Sequence, residues 1–185
     1  MTGPAERPLL FLDVDGPFIP FGPSSGRPSG LSPSVSGNVS DPGNPLLERL
    51  DPSVGTRLTA LGCAMVWATT WLDDANEVVA PRIGLPRLPV VRWPDAVPEG
   101  PRGLHWKTRT VVEWAGGRPF IWIDDEIGAM DRLWVASEHP GAALLHRVDA
   151  GRGLADEDFR VLADWLRTAV PDRPRGTNGP WPGVS

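Results

Sequence analysis

Two carboxylates one residue apart, Asp13 and Asp15, follow the apolar run Leu9-Leu10-Phe11-Leu12, and Gly16 comes directly after them. Like charges this close repel unless a cation or a shared proton offsets them, which points to a hard divalent ion such as Mg²⁺. A second acidic pair, Asp124-Asp125, follows another apolar run, Pro119-Phe120-Ile121-Trp122-Ile123. Two further polar groups stand at comparable places. Thr69 ends the apolar run Cys63–Ala68, with Thr70 as a rival for the same role, and Lys107 opens a helical stretch. Taken singly, each has an ordinary explanation: a helix cap for Thr69, a solvated surface position for Lys107, helix N-terminal charges for Asp124 and Asp125. Their joint order along the chain is harder to dismiss.

These residues can meet only if the elements before them share one edge of a sheet. An uninterrupted apolar run bounded by polar residues reads as a strand buried on both faces. Runs of this kind lie at 8–14, 63–68, 119–123 and 142–145, with a weaker one at 88–91 where Pro89 suits an edge. Helical patterns separate them: Leu46 to Leu61, broken near Pro52; a short one at 75–79; 108–115, stopped by Gly116-Gly117; 127–135; and the clearest, 156–170, whose Phe159, Leu162, Ala163, Leu166 and Val170 share a face. Alternation of this kind predicts an α/β, Rossmann-like fold, with a mostly parallel five-stranded sheet and helices on both faces. Ligands of such sheets bind beyond the carboxyl ends of the strands, where the polar groups above would converge.

The order of these residues resembles the haloacid dehalogenase (HAD) superfamily of phosphohydrolases, over roughly residues 8–148. Leu10-Phe11-Leu12-Asp13-Val14-Asp15-Gly16 matches its first motif, Met65-Val66-Trp67-Ala68-Thr69 its second, Lys107 its third, and Ile121-Trp122-Ile123-Asp124-Asp125 its fourth. Pro17 departs from the Thr or Val common after the glycine and removes no reactive group. The resemblance implies that Asp13 attacks phosphorus to form an aspartyl phosphate, and that Asp15 protonates the leaving group and then activates water. It implies that Asp13, Asp124, Asp125 and the backbone carbonyl of Asp15 hold Mg²⁺, and that Thr69 and Lys107 bind the phosphoryl oxygens. The dehalogenase branch lacks the second acid of the first motif; Asp15 is present here, which favours phosphate chemistry. The expected substrate is a phosphomonoester.

Composition sets the outer limits. The 185 residues fit one domain, taken as 1–170, with a Pro/Gly/Ser-rich loop inserted at 17–45 and a tail at 171–185 expected to be disordered. Neither that loop nor residues 72–104 has the pattern of a large cap domain, so a minimal-cap, open site is expected. A net charge of -5 weighs against a nucleic-acid partner. The single Cys63, the absence of a signal-type segment and the lack of any spanning run point to a cytoplasmic protein without membrane contact. Two rival readings stand: a catalytically silent HAD-like binding or regulatory module, and a nucleic-acid end-processing phosphatase. Of the tryptophans, Trp67 and Trp122 are expected in the core, while Trp71 and Trp106 flank the motif residues and could line the mouth of the site.

Overall fold

The computed structural model describes residues 7–22, 45–96 and 100–169. The middle of the expected 17–45 loop and the expected tail therefore lie outside the described residues.

Leu9–Leu12 forms β1, with every side chain almost wholly out of water. Its alternation feeds both faces of the sheet. Leu10 and Leu12 pack into one apolar cluster with Leu58 of α1 (Val54–Ala60) and Leu162 of α5 (Asp156–Ala169), whereas Leu9 and Phe11 pack into another with Val111 of α3 (Thr108–Ala115) and Val135 of α4 (Ala129–Glu138). A strand buried on both faces gains roughly 1.5–3 kcal/mol from each large apolar side chain, which fixes β1 at the centre.

β1 pairs in parallel with β2 (Ala64–Trp67) on one side and with β3 (Phe120–Asp124) on the other, and β4 (Ala143–Arg147) extends the sheet beyond β3. The strand order is β2-β1-β3-β4. The chain leaves β1 in one direction to make β2 and later returns to its other side to make β3. The order thus reverses between β1 and β3, and a crevice opens beyond their carboxyl ends. The register sets Leu12 beside Ile123, so the next residues, Asp13 and Asp124, emerge side by side at that crevice.

Among the described residues the sheet has four strands, and the fifth expected at 88–91 does not form. Val90 makes one isolated parallel bridge to Trp67. Trp67 N donates to Pro89 O and Val91 N to Trp67 O, but the ladder goes no further. Pro86 and Pro89 lack the N–H groups needed to extend it. The buried amide of Asn76 also takes up the backbone of Leu88, accepting from Leu88 N and donating to Leu88 O, each at 2.8 Å.

The helical expectations shift only at their ends. The first segment splits around Pro52 into a 3₁₀ turn, Pro45–Arg49, and α1; the short one at 75–79 is a π turn running into α2 (Ala80–Ile83). Trp67 and Trp122 are fully buried, as expected. Among the described residues, no helix is long and apolar enough to cross a membrane.

Candidate active site

Lys107 is the only lysine among the 18 basic residues of the chain, the rest being arginine. It is also buried, at 2% exposure, where a lysine needs a partner to remain charged. Its Nζ lies 2.7 Å from Asp13 Oδ2 and 2.9 Å from Asp124 Oδ2, bridging the carboxylates that follow the two central strands. The other oxygen of each carboxylate accepts a backbone N–H: Asp13 Oδ1 from Val14 and Asp124 Oδ1 from Glu126, both at 2.9 Å. The two acids are thereby fixed in rotation as well as in position.

Charge is not balanced by this bridge. Asp13, Asp15, Asp125 and Glu126 line the same cavity of about 180 Å³ as Lys107, with Asp124 beneath them. Burial pushes the Asp13 carboxyl up to about 7; Lys107 pulls it down, and Asp124 adds to the rise. Asp15 is also raised by burial, against the hydrogen bond from Trp71 and the charge of Lys107. Asp125 is raised by burial and then by Asp124. For Lys107, burial alone would lower the value, but Asp13 and Asp124 outweigh it and hold the ammonium above the usual lysine range.

Carboxylate oxygens of Asp13, Asp124 and Asp125 lie within 4.8 Å of one another. Three hard oxygen donors in one acidic cluster could hold a hard divalent cation. The carboxylate of Asp15 is not in this trio. Gly16 approaches Asp125 so closely that a Cβ there would meet Asp125 Cγ at 2.6 Å, and its φ of +82° is one that glycine alone adopts freely. Glycine at this position lets the first acidic loop close onto the second. A second possible trio, His105, Asp124 and Glu126, is less suited. His105 Nδ1 accepts from Lys107 N at 3.2 Å, so Nε2 carries the proton toward Glu126 Oε2 at 2.9 Å and no ring lone pair remains.

The two threonines, rivals for one role in the sequence, take different places. Thr69 is fully buried, its hydroxyl accepting from Trp71 N at 3.3 Å and its carbonyl accepting from Trp93 Nε1 at 3.0 Å. Thr70 is exposed and lines the cavity. The strand ends at Trp67, and two residues of turn suffice to send Thr69 inward and Thr70 outward. Trp106 lines the cavity, edge-on to Trp93 with centroids 4.9 Å apart. Trp71 instead lies beneath, 6% exposed, donating from Nε1 to Asp15 Oδ2 at 3.0 Å.

Three contributors were not singled out in the sequence. Phe21, 58% exposed, lines the cavity, held by its N–H to Ala150 O at 2.7 Å. Glu126 lines it and orients His105. Asp131 is buried at 1% exposure beneath the lysine-bearing turn. Its signal is periodic: it lies four residues after Ile127 and four before Val135, both buried, which puts a carboxylate on the apolar side of a helix. A larger depression of about 770 Å³ adjoins the site through Asp125 and Glu126 and is completed by Arg147, Val148, Asp149 and Ala150.

Fold and site together define an α/β protein with an acidic, lysine-bridged centre at the switch point of a parallel sheet. No family model matches the chain, nor does any curated protein or solved structure.

Proposed function

We propose that this chain is a Mg²⁺-dependent phosphohydrolase of the HAD type, acting on a phosphomonoester through an aspartyl phosphate on Asp13. The observation that carries this reading is the Lys107 bridge between Asp13 and Asp124, with Asp15 two residues beyond Asp13 and on the same cavity.

Asp13, Asp124 and Asp125 are the side chains that would hold Mg²⁺, with the Asp15 carbonyl as a further oxygen. Bound there, the ion would offset the negative charge that otherwise keeps a carboxylate nucleophile from an anionic phosphate. Asp13 attacks phosphorus through a carboxylate oxygen as the ester oxygen departs. Asp15, whose carboxyl is held by burial above the ordinary carboxylate range, gives that oxygen its proton. The same group, now ionised, removes a proton from water as the water attacks phosphorus, which frees phosphate and restores Asp13. Lys107 has three N–H donors and two protein acceptors, so one N–H is available to a phosphoryl oxygen. Thr70 offers its hydroxyl from the cavity wall, in place of Thr69.

Asp13 and Asp15 both reach the cavity, which favours a working site over a silent regulatory module. The acidic walls and the net charge of -5 favour a small phosphomonoester over a nucleic-acid end. The test is turnover of a panel of phosphomonoesters, p-nitrophenyl phosphate included, in Mg²⁺ and in excess EDTA. Hydrolysis that needs the metal supports the reading; hydrolysis unaffected by EDTA, or none across the panel, removes it.

A further inference from the structure

We propose that Asp131 is the residue that positions Lys107, by gripping the backbone and side chain on either side of it with one buried carboxylate. This deepens the phosphohydrolase reading, since Lys107 is its phosphate-binding cation.

Asp131 stands in the first turn of α4 and is 1% exposed. Its Oδ2 accepts from Gly128 N at 2.7 Å, which caps the start of its own helix. Capping would use that oxygen alone. The other, Oδ1, accepts two donors from the turn before α3: His105 N at 2.8 Å and Thr108 Oγ1 at 2.6 Å. Those donors lie two residues before Lys107 and one after it. Within the same turn, Thr108 N donates to His105 O at 3.1 Å and Lys107 N to His105 Nδ1. The base of the lysine side chain is thus held from both directions.

The location of this grip matters because lysine is a poorly ordered group. Holding its four-carbon stem in one rotamer costs side-chain entropy, and a displaced ammonium would lose one of its two carboxylates. Asp131 also belongs to the helix that follows Asp124, Asp125 and Glu126. One carboxylate therefore ties the lysine turn to the segment that carries the acids Lys107 must reach. Asparagine replaces it poorly: its one oxygen can serve either Gly128 N or the His105 and Thr108 donors, and the NH₂ is left facing an N–H on the other side.

The chain supplies its own probe, because ¹⁵N-lysine labelling gives a single side-chain ammonium signal, that of Lys107. In the wild type, buried and doubly ion-paired, this signal should exchange slowly with water. In Asp131→Asn it should shift and exchange at least about tenfold faster, while kcat for p-nitrophenyl phosphate at saturating Mg²⁺ falls about 10- to 100-fold with KM little changed, as for other supporting partners of site residues. Thr108→Val should produce a smaller change in both readouts, and Thr108→Ser should restore them. In a Lys107→Ala background, Asp131→Asn should cost nothing further in kcat. Thermal melts identify variants that fail to fold; should Asp131→Asn be one, Thr108→Val decides by the same readouts. Should the wild type be inert to p-nitrophenyl phosphate, the phosphohydrolase reading is what suffers, and the ammonium signal still decides the role of Asp131. An unchanged lysine signal in folded Asp131→Asn, a wild-type signal already lost to water exchange, or an undiminished loss of kcat in the Lys107→Ala background would overturn the proposal.

Discussion

Trp71 and Asp15, 56 positions apart in the chain, meet through one hydrogen bond, from the indole Nε1 to Oδ2 at 3.0 Å. The bond stabilises the ionised carboxylate and partly offsets the upward push of burial. Leu72, directly after Trp71, has a φ of 50°, uncommon for a residue with a side chain, so the turn holding the indole carries some strain.

Trp71→Phe keeps most of the buried ring and removes the donor. Asp15 should then stay protonated to higher pH, and the acid limb of the kcat profile, where Asp15 must ionise to activate water, should move upward. A hydrogen bond to a charged group is worth about 1.5–3 kcal/mol, so turnover on that limb should fall about tenfold or more. A pH–rate profile on p-nitrophenyl phosphate checks this; a limb that stays in place denies Asp15 the role of base.

Stability without metal should decline as pH rises toward neutrality and beyond. Asp13 binds its proton more tightly in the fold, at about 7, than at its ordinary 3.8, because of burial first. Below the ordinary value both states are protonated and the group costs nothing. Between the two values the unfolded chain ionises while the fold resists, and the penalty is complete above about 7. The thermal midpoint in EDTA should therefore be lower at about pH 8 than at about pH 5. Mg²⁺ should raise it most at the higher pH, by about 2.7 kcal/mol of stability at a hundred times its Kd. A midpoint in EDTA that climbs over this range would contradict the charge cluster as described.

The two threonines should separate cleanly. Thr70→Val removes a hydroxyl from the cavity and should raise KM several-fold with the melting midpoint unchanged. Thr69→Val leaves Trp71 N without its hydroxyl acceptor and should lower stability by about 1–3 kcal/mol. Denaturant melts paired with steady-state kinetics distinguish the two outcomes. A KM effect confined to Thr69 would return the phosphate contact to that residue.

How far the sequence could be read depends on which signal each residue sends. Leu9–Leu12 and Phe120–Ile123 announce buried strands through unbroken apolar runs, and a residue following such a strand in a parallel sheet has its place set by the register. Asp13 and Asp124 were therefore legible. Leu88–Val91 looks apolar enough for a strand, but its pairing is cut short by two prolines and by the Asn76 amide, a tertiary capture no local pattern reveals. Thr69 and Thr70 could not be ranked, because one step in a turn reverses inside and outside. Lys107 carried a stronger sign than its motif: it is the only lysine in the chain. Asp131 was visible only as a carboxylate on an apolar helix face, and its partners 23 and 26 positions away were not visible at all.

The most direct measurement is intact-protein mass spectrometry after brief exposure to p-nitrophenyl phosphate and Mg²⁺, with acid quenching. Asp15→Asn retains the nucleophile but lacks the base for the second step, so it should accumulate one acid-stable, base-labile phosphate, mapped to Asp13 by peptide sequencing. Asp13→Asn should acquire none and should not turn over. If Asp13→Asn hydrolyses the ester at the wild-type rate, or if the phosphate on Asp15→Asn maps elsewhere, the assignment of Asp13 as nucleophile is contradicted, and with it the account of the site.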